Sequence, residues 1–100
     1  PPPSPPSKHK NLEFNEANIA SVTEAEGVFR LLDSSQAVVL IQGAANLRQA
    51  MQQRLQDRSV RQTRFFDFEV EPMYTVNESE RLQQFLQQHG HLPPGNEDLR

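Results

Sequence analysis

"GVFRLLDSSQAVVLIQGAANLRQAM", residues 27–51, decides the fold. Gly27 opens GVFRLL, a β-branched and aromatic run that reads as a strand. DSSQ (33–36) supplies turn residues, and AVVLIQ (37–42) is a continuous apolar run suited to a central strand. Together they predict an antiparallel hairpin. Gly43 closes the second strand, and Asn46 or the residues just before it start a helix that runs to about Gln56 or Asp57. At 100° per residue, Ala44, Leu47, Met51 and Leu55 gather on one side of that helix and Gln49, Gln52, Gln53 and Gln56 on the other, which lays it on a sheet with its glutamine face in water. Arg48 and Ala50 border the buried stripe from opposite sides, and Arg54 lies close to Ala50. Many catalytic domains have this layout, yet apart from Asp33 in the turn the stretch holds no His, Cys, Tyr, Lys, Asp or Glu. The question it raises is whether this is an active site or only the shape of one.

Downstream, RSVRQTR (58–64) is a polar connection. RFFDFEVEP then alternates, with Phe66, Phe68 and Val70 on one face and Phe65, Asp67 and Glu69 on the other, until Pro72 stops the ladder. These aromatics read as a core face, because a base-stacking platform needs basic neighbours and the alternates here are acidic. Asn77 is a good N-cap with Glu78 and Glu80 in the first turn behind it. The helix it predicts runs to about His89, with Leu82, Phe85, Leu86 and His89 on one face and Gly90 as the residue that ends it. Upstream, residues 15–25 read as weakly helical or irregular. The sum is an α/β chain of the α+β kind, in the order β-β-α-β-α: a small three-stranded sheet with an N-terminal antiparallel hairpin and helices packed on it.

The flanks differ from this centre. Five prolines in the first six residues of PPPSPPSKHK predict a disordered, extended polyproline II arm over residues 1–10. The domain proper is expected at 11–92 and an extended, turn-rich tail at 93–100. With no cysteine and only three histidines, neither a disulfide framework nor a thiolate or histidine metal cage is expected. No apolar run approaches about 18 residues, so the expectation is a cytoplasmic protein without a membrane partner. The formal charge of −3 speaks against nucleic-acid binding through net charge, but its distribution is uneven. Arg48, Arg54, Arg58, Arg61 and Arg64 stand against a single acid, Asp57, in one segment.

The element order, the glycine before the first strand and "NLR" on the first helix resemble the GIY-YIG nuclease domain, as found in the nuclease subunit of bacterial nucleotide-excision repair and in small stand-alone relatives. Gly27, Val28 and Phe29 stand where the family has its Gly-Val/Ile-Tyr triplet. LIQGAANLR (40–48) stands where the family has YIGKAKNLR, and PPGN (93–96) is similar to the family's Pro-x-Tyr-Asn ending. The resemblance implies metal-assisted phosphodiester hydrolysis in DNA metabolism, with a tyrosine that helps activate the nucleophile, an arginine on the phosphate and a glutamate that holds a divalent cation. Carried over position by position, the tyrosines fall on Phe29 and Leu40, the glycine of Tyr-Ile-Gly on Gln42 with Gly43 one place late, the arginine on Ala50, and the next polar helix position on Arg54. Counting back from the terminal Pro-x-x-Asn puts the metal carboxylate on Gln84, with Glu80 the nearest acid, about one turn early.

Three readings follow from these residues. The leading one is a catalytically degenerate GIY-YIG-like binding module. It would engage a protein partner through its proline arm or sheet edge, or nucleic acid through Arg48, Arg54, Arg58, Arg61 and Arg64, with no small-molecule cofactor. The second is a divergent metal-dependent endonuclease with a relocated site drawn from Arg54, Glu80, Tyr74 and His89 or His91, which alone would call for Mg²⁺ or Mn²⁺. The third is a chance likeness of a common layout, since three-element layouts recur; a structure in which residues 27–32 and 37–42 do not pair antiparallel, or in which the 45–57 helix does not cover the hairpin, would settle it.

Overall fold

Four strands and four helices follow one another through residues 11–97, the part of the chain that the computed structural model describes. The arm expected at residues 1–10 lies outside it. The elements are β1 (Leu12–Glu13), α1 (Glu16–Ala20), β2 (Gly27–Leu32), β3 (Val38–Ala44), α2 (Leu47–Leu55), a 3-10 turn (Arg58–Val60), β4 (Phe65–Val70), α3 (Tyr74–His89) and α4 (Pro94–Glu97). The class is α+β, with an all-antiparallel sheet in the order β1-β4-β2-β3.

The hairpin forms where the apolar runs predict it: Phe29 pairs with Gln42, Arg30 with Ile41 and Leu31 with Leu40. Its turn is held by one side chain. The Asp33 carboxylate accepts from the Ser35 backbone N–H at 2.9 Å, the Ser35 hydroxyl at 2.7 Å and the Ala37 N–H at 3.0 Å. These bonds, the hydroxyl first, hold its pKa below the ordinary carboxylate value. Residue 36 completes the turn with φ of 71°, in the left-handed region, although it is a glutamine. Asn46 caps α2 by accepting from the Gln49 N–H at 3.1 Å.

Because successive strand residues face opposite sides, the register sorts the sheet into two faces. Phe29, Leu31, Leu40, Phe66 and Phe68 share one face and pack with Ile19 of α1, Leu47, Ala50 and Met51 of α2, and Val60 into the core. Arg30, Ile41, Gly43, Asp67 and Glu69 share the other, where α3 lies. The fully buried apolar side chains contribute roughly 1.5–3 kcal/mol each, so the first face carries most of the stability.

Three expectations need correction. The sheet has four strands, not three. β1 is only two residues long, too short for a period to register, and exists because Leu12 and Glu13 pair with Phe66 and Phe65 far away in sequence. Residues 94–97 are not an extended tail but α4, anchored by the fully buried Pro93 and by Asn96. Helix α3 begins at Tyr74, a turn before the expected cap: the Asn77 N–H bonds to the Met73 carbonyl at 3.0 Å, and the Asn77 side chain reaches back to the same carbonyl at 2.9 Å. Its end agrees, with Gly90 at φ 78°. No helix among the described residues is long and apolar enough to cross a membrane.

Candidate functional site

The positions that the family resemblance singles out on the hairpin and α2 do not line a cleft. Phe29 and Leu40 are 0% exposed and Ala50 is 9% exposed, all three within the core cluster. The neighbouring polar groups are tied up locally. Arg54 donates through Nε to the Gln42 side-chain oxygen at 2.8 Å and through Nη1 to Asp57 at 2.6 Å. Gly43 keeps a close backbone approach, but toward α3. A Cβ there would lie 2.9 Å from the Tyr74 carbonyl oxygen, and its N–H donates to Glu78 at 2.9 Å.

Gln84 and Glu80 are on the opposite side of the sheet. They line an open cleft of about 400 Å³ between α3 and β2–β3, together with Arg30, Arg81, Asn77 and Phe85. The floor is a cross-strand ion pair. Arg30 and Asp67 face each other in the β2–β4 register, and the guanidinium meets both carboxylate oxygens, with Nε to Oδ1 at 3.0 Å. Bonding to Asp67 raises the Arg30 pKa above its already high ordinary value, outweighing the desolvation that burial brings. Arg81 of α3 is bonded to Glu69 of β4. Each guanidinium thus has its own carboxylate, and the cleft holds no excess positive charge. Such a wall can bind by hydrogen bonds, but an arginine has no proton to exchange near neutral pH.

The residue set does not suit a divalent cation. The position implied for the metal carboxylate is Gln84, a neutral amide, and among the described residues no three His, Asp or Glu side chains gather where they could hold a metal ion. Nor does the relocated site assemble. Arg54 is bound on the core side near α2, Tyr74 packs on Gly43, Glu80 stands at the α3 cleft, and His89 and His91 line a second pocket by the β2–β3 turn.

The five arginines divide. Arg48 donates through Nε to the Val22 carbonyl at 2.8 Å and lies 3.6 Å from Glu24; with Arg54 it serves to hold the fold. Arg58, Arg61 and Arg64 are exposed on and just after the 3-10 turn, and the Arg64 guanidinium donates to the backbone carbonyls of Thr63 and Arg61.

Arg30, Asp67, Arg81 and Glu69 escaped the sequence reading as a site. The signal that could have found them is charge at non-core alternates of two apolar strands, Arg30 in one and Asp67 and Glu69 in the other. Only the pairing of β2 with β4 shows that they meet. No protein-family model matches the chain, and no curated protein matches it.

Proposed function

We propose that this chain is a catalytically degenerate GIY-YIG-like domain that works as a binding module and engages nucleic acid weakly through Arg58, Arg61 and Arg64. One observation carries the loss of catalysis. Where the family chemistry needs two tyrosine hydroxyls and a guanidinium open to a phosphodiester, Phe29, Leu40 and Ala50 are packed into the core. The antiparallel 27–32/38–44 hairpin with α2 packed on it supports the family layout. The side chain of Asn96, at the end of the family-like PPGN, is bonded to the middle of β3, which supports it further.

Binding by three arginines without base readout is electrostatic, through phosphate contacts. On double-stranded DNA it carries a log–log salt slope of about −2.7, a loss of about 40-fold between about 50 and 200 mM salt. The test is fluorescence anisotropy with a labelled duplex over that range, beside incubation with supercoiled and branched DNA plus Mg²⁺ or Mn²⁺. The expected result is salt-sensitive binding and intact DNA. Cleavage that is lost in Glu80→Ala would instead establish the divergent endonuclease. Val70, Met73 and Val76 are exposed around the start of α3 and favour a protein partner as the second reading; salt-independent or undetectable DNA binding would give that reading precedence.

A further inference from the structure

A second pocket, also of about 400 Å³, opens where the β2–β3 turn meets the C-terminal end of α3. Three rings line it: Phe85, His89 and His91. The Phe85 and His89 centroids are 4.2 Å apart, Phe85 and His91 5.9 Å, and the two histidines 6.2 Å. Phe85 is half-buried, and both histidines are exposed. Gln62 lines the same pocket, and in the chain it stands between Arg61 and Arg64, two of the exposed arginines. The backbone fixes that neighbourhood. The Arg64 N–H donates to the Leu32 carbonyl at 2.7 Å, one residue before Asp33, which also lines the pocket. The Arg64 guanidinium reaches back to the Thr63 carbonyl at 3.2 Å. A ring-lined pocket and two exposed arginines therefore share one rim.

We infer that this pocket takes an unpaired base of a single-stranded nucleic acid, stacked on the ring cluster, while Arg61 and Arg64 hold the phosphates beside it. This rests on the phosphate contacts proposed above for these arginines and adds which form of nucleic acid they meet. Three physical matches carry the assignment. The first is the pairing of rings with cations: bases stack on aromatic side chains whatever their sequence, provided that basic residues lie alongside to track the backbone. The Phe65–Phe68 strand has acidic alternates instead, and its rings are spent on the core. The second is how charge is sorted. Asp33 stays ionised at neutral pH, and its three turn bonds all fall on Oδ1, which leaves Oδ2 to accept. An ionised carboxylate in the pocket repels a phosphate but accepts from the amino group of cytosine. The base therefore enters and the phosphates stay at the rim, on the arginines. The amide of Gln62 offers both a donor and an acceptor to the base edge. The third is access. The pocket has the volume of a small-molecule site, roughly 300–1,000 Å³, and a duplex must flip a base out of its stack to fill it, whereas a single strand pays least for unstacking.

Fluorescence anisotropy of the full chain with labelled strands of equal length tests this: oligo(dC), an abasic strand with the same number of phosphates, and a duplex. Oligo(dC) is expected to bind about tenfold or more tighter than the abasic strand. The double variant His89→Ala, His91→Ala changes two exposed side chains and removes no arginine. It is expected to lose that margin while binding the abasic strand and the duplex as the wild type does, with the same salt slope. The ribose counterpart of oligo(dC), run alongside, identifies the strand as DNA or RNA. Equal affinity of the wild type for oligo(dC) and the abasic strand, each still salt-sensitive, would overturn base capture and leave the arginine contacts standing. An equal loss on all strands in the double variant would also overturn it. Binding to none of the strands, or binding without salt dependence, would overturn both readings together.

Discussion

The hydroxyl of Thr63 is buried and has no hydrogen-bond partner among the described residues, and it lies between the exposed Arg61 and Arg64. A buried, unsatisfied hydroxyl costs about 1–3 kcal/mol, and valine has nearly the same shape without that cost. Thr63→Val is expected to stabilise the chain by about 1 kcal/mol, read as a rise in the urea midpoint at unchanged slope; a fall in the midpoint would mean that the hydroxyl is satisfied in solution. Asp33 has a pH signature of definite sign. Its folded pKa lies below the unfolded carboxylate value of about 3.9, so its ionised form stabilises the turn above that value. This contribution is lost as the pH falls through the lower folded value. The urea-midpoint gap between wild type and Asp33→Asn should therefore stay constant from neutral pH to about 5 and close as the pH falls below the unfolded value of about 3.9. A gap that persists at the acid end would show that the turn does not need the charge. Arg30, shifted further upward from an already strongly basic value, keeps its contribution at every pH below that range, so the Arg30–Asp67 pair adds no pH dependence from the arginine side around neutrality.

At the level of elements, the edge strand β3 is closed by side chains rather than by another strand. Asn96 accepts from the Ile41 N–H and donates to the Ile41 carbonyl, both at 2.8 Å, and Glu78 takes the Gly43 N–H. An amide side chain here makes the two bonds that a neighbouring strand would make, which blunts an edge otherwise open to pairing. Asn96→Ala strands both Ile41 groups beside an apolar core, and a loss of about 2 kcal/mol or more is expected in urea denaturation, with faster amide exchange at Ile41. Unchanged exchange there would assign the closure to Pro93 packing alone. The same elements show what local sequence can carry. The hairpin, α2, β4 and the end of α3 were legible because each has its own period, cap or terminating glycine. The strand β1 and the anchoring of α4 were not, since two residues or one asparagine acquire structure only from partners across the fold. The stripe Leu82, Phe85, Leu86 and His89 predicted an apolar packing face, yet no residue of α3 is buried. The sheet face beneath α3 carries Arg30, Asp67 and Glu69, so the helix is held by the Arg81–Glu69 ion pair and by the Glu78 bond to Gly43, and a cleft remains where a core would have been. Of the candidate site, the lack of a hydroxyl or a guanidinium at Phe29, Leu40 and Ala50 could be read directly. That they lie on the opposite side of the sheet from Gln84 could not, because it depends on strand register.

For the whole molecule, the proposed binding turns on how an acidic chain distributes its positive charge. Arg30, Arg81, Arg48 and Arg54 each have a partner that serves the fold, which among the described residues leaves Arg58, Arg61 and Arg64 in one seven-residue span as the exposed group. Exposed charges in water contribute little to stability, so replacing them should separate binding from folding. Each arginine that neutralises a phosphate contributes about 0.9 to the salt slope on duplex DNA. Single replacements Arg58→Gln, Arg61→Gln and Arg64→Gln should each flatten the slope by about that amount, and the triple variant should bring it near zero while the urea midpoint stays put. Arg48→Gln is the counterpart. It removes the bond to the Val22 carbonyl and should lower the midpoint while leaving the slope as it was. Anisotropy and urea titrations on the wild type and these five variants give both readouts. If the triple variant keeps the wild-type slope, the three arginines do not touch phosphate, and a module with this net charge would then engage a protein through Val70, Met73 and Val76 instead.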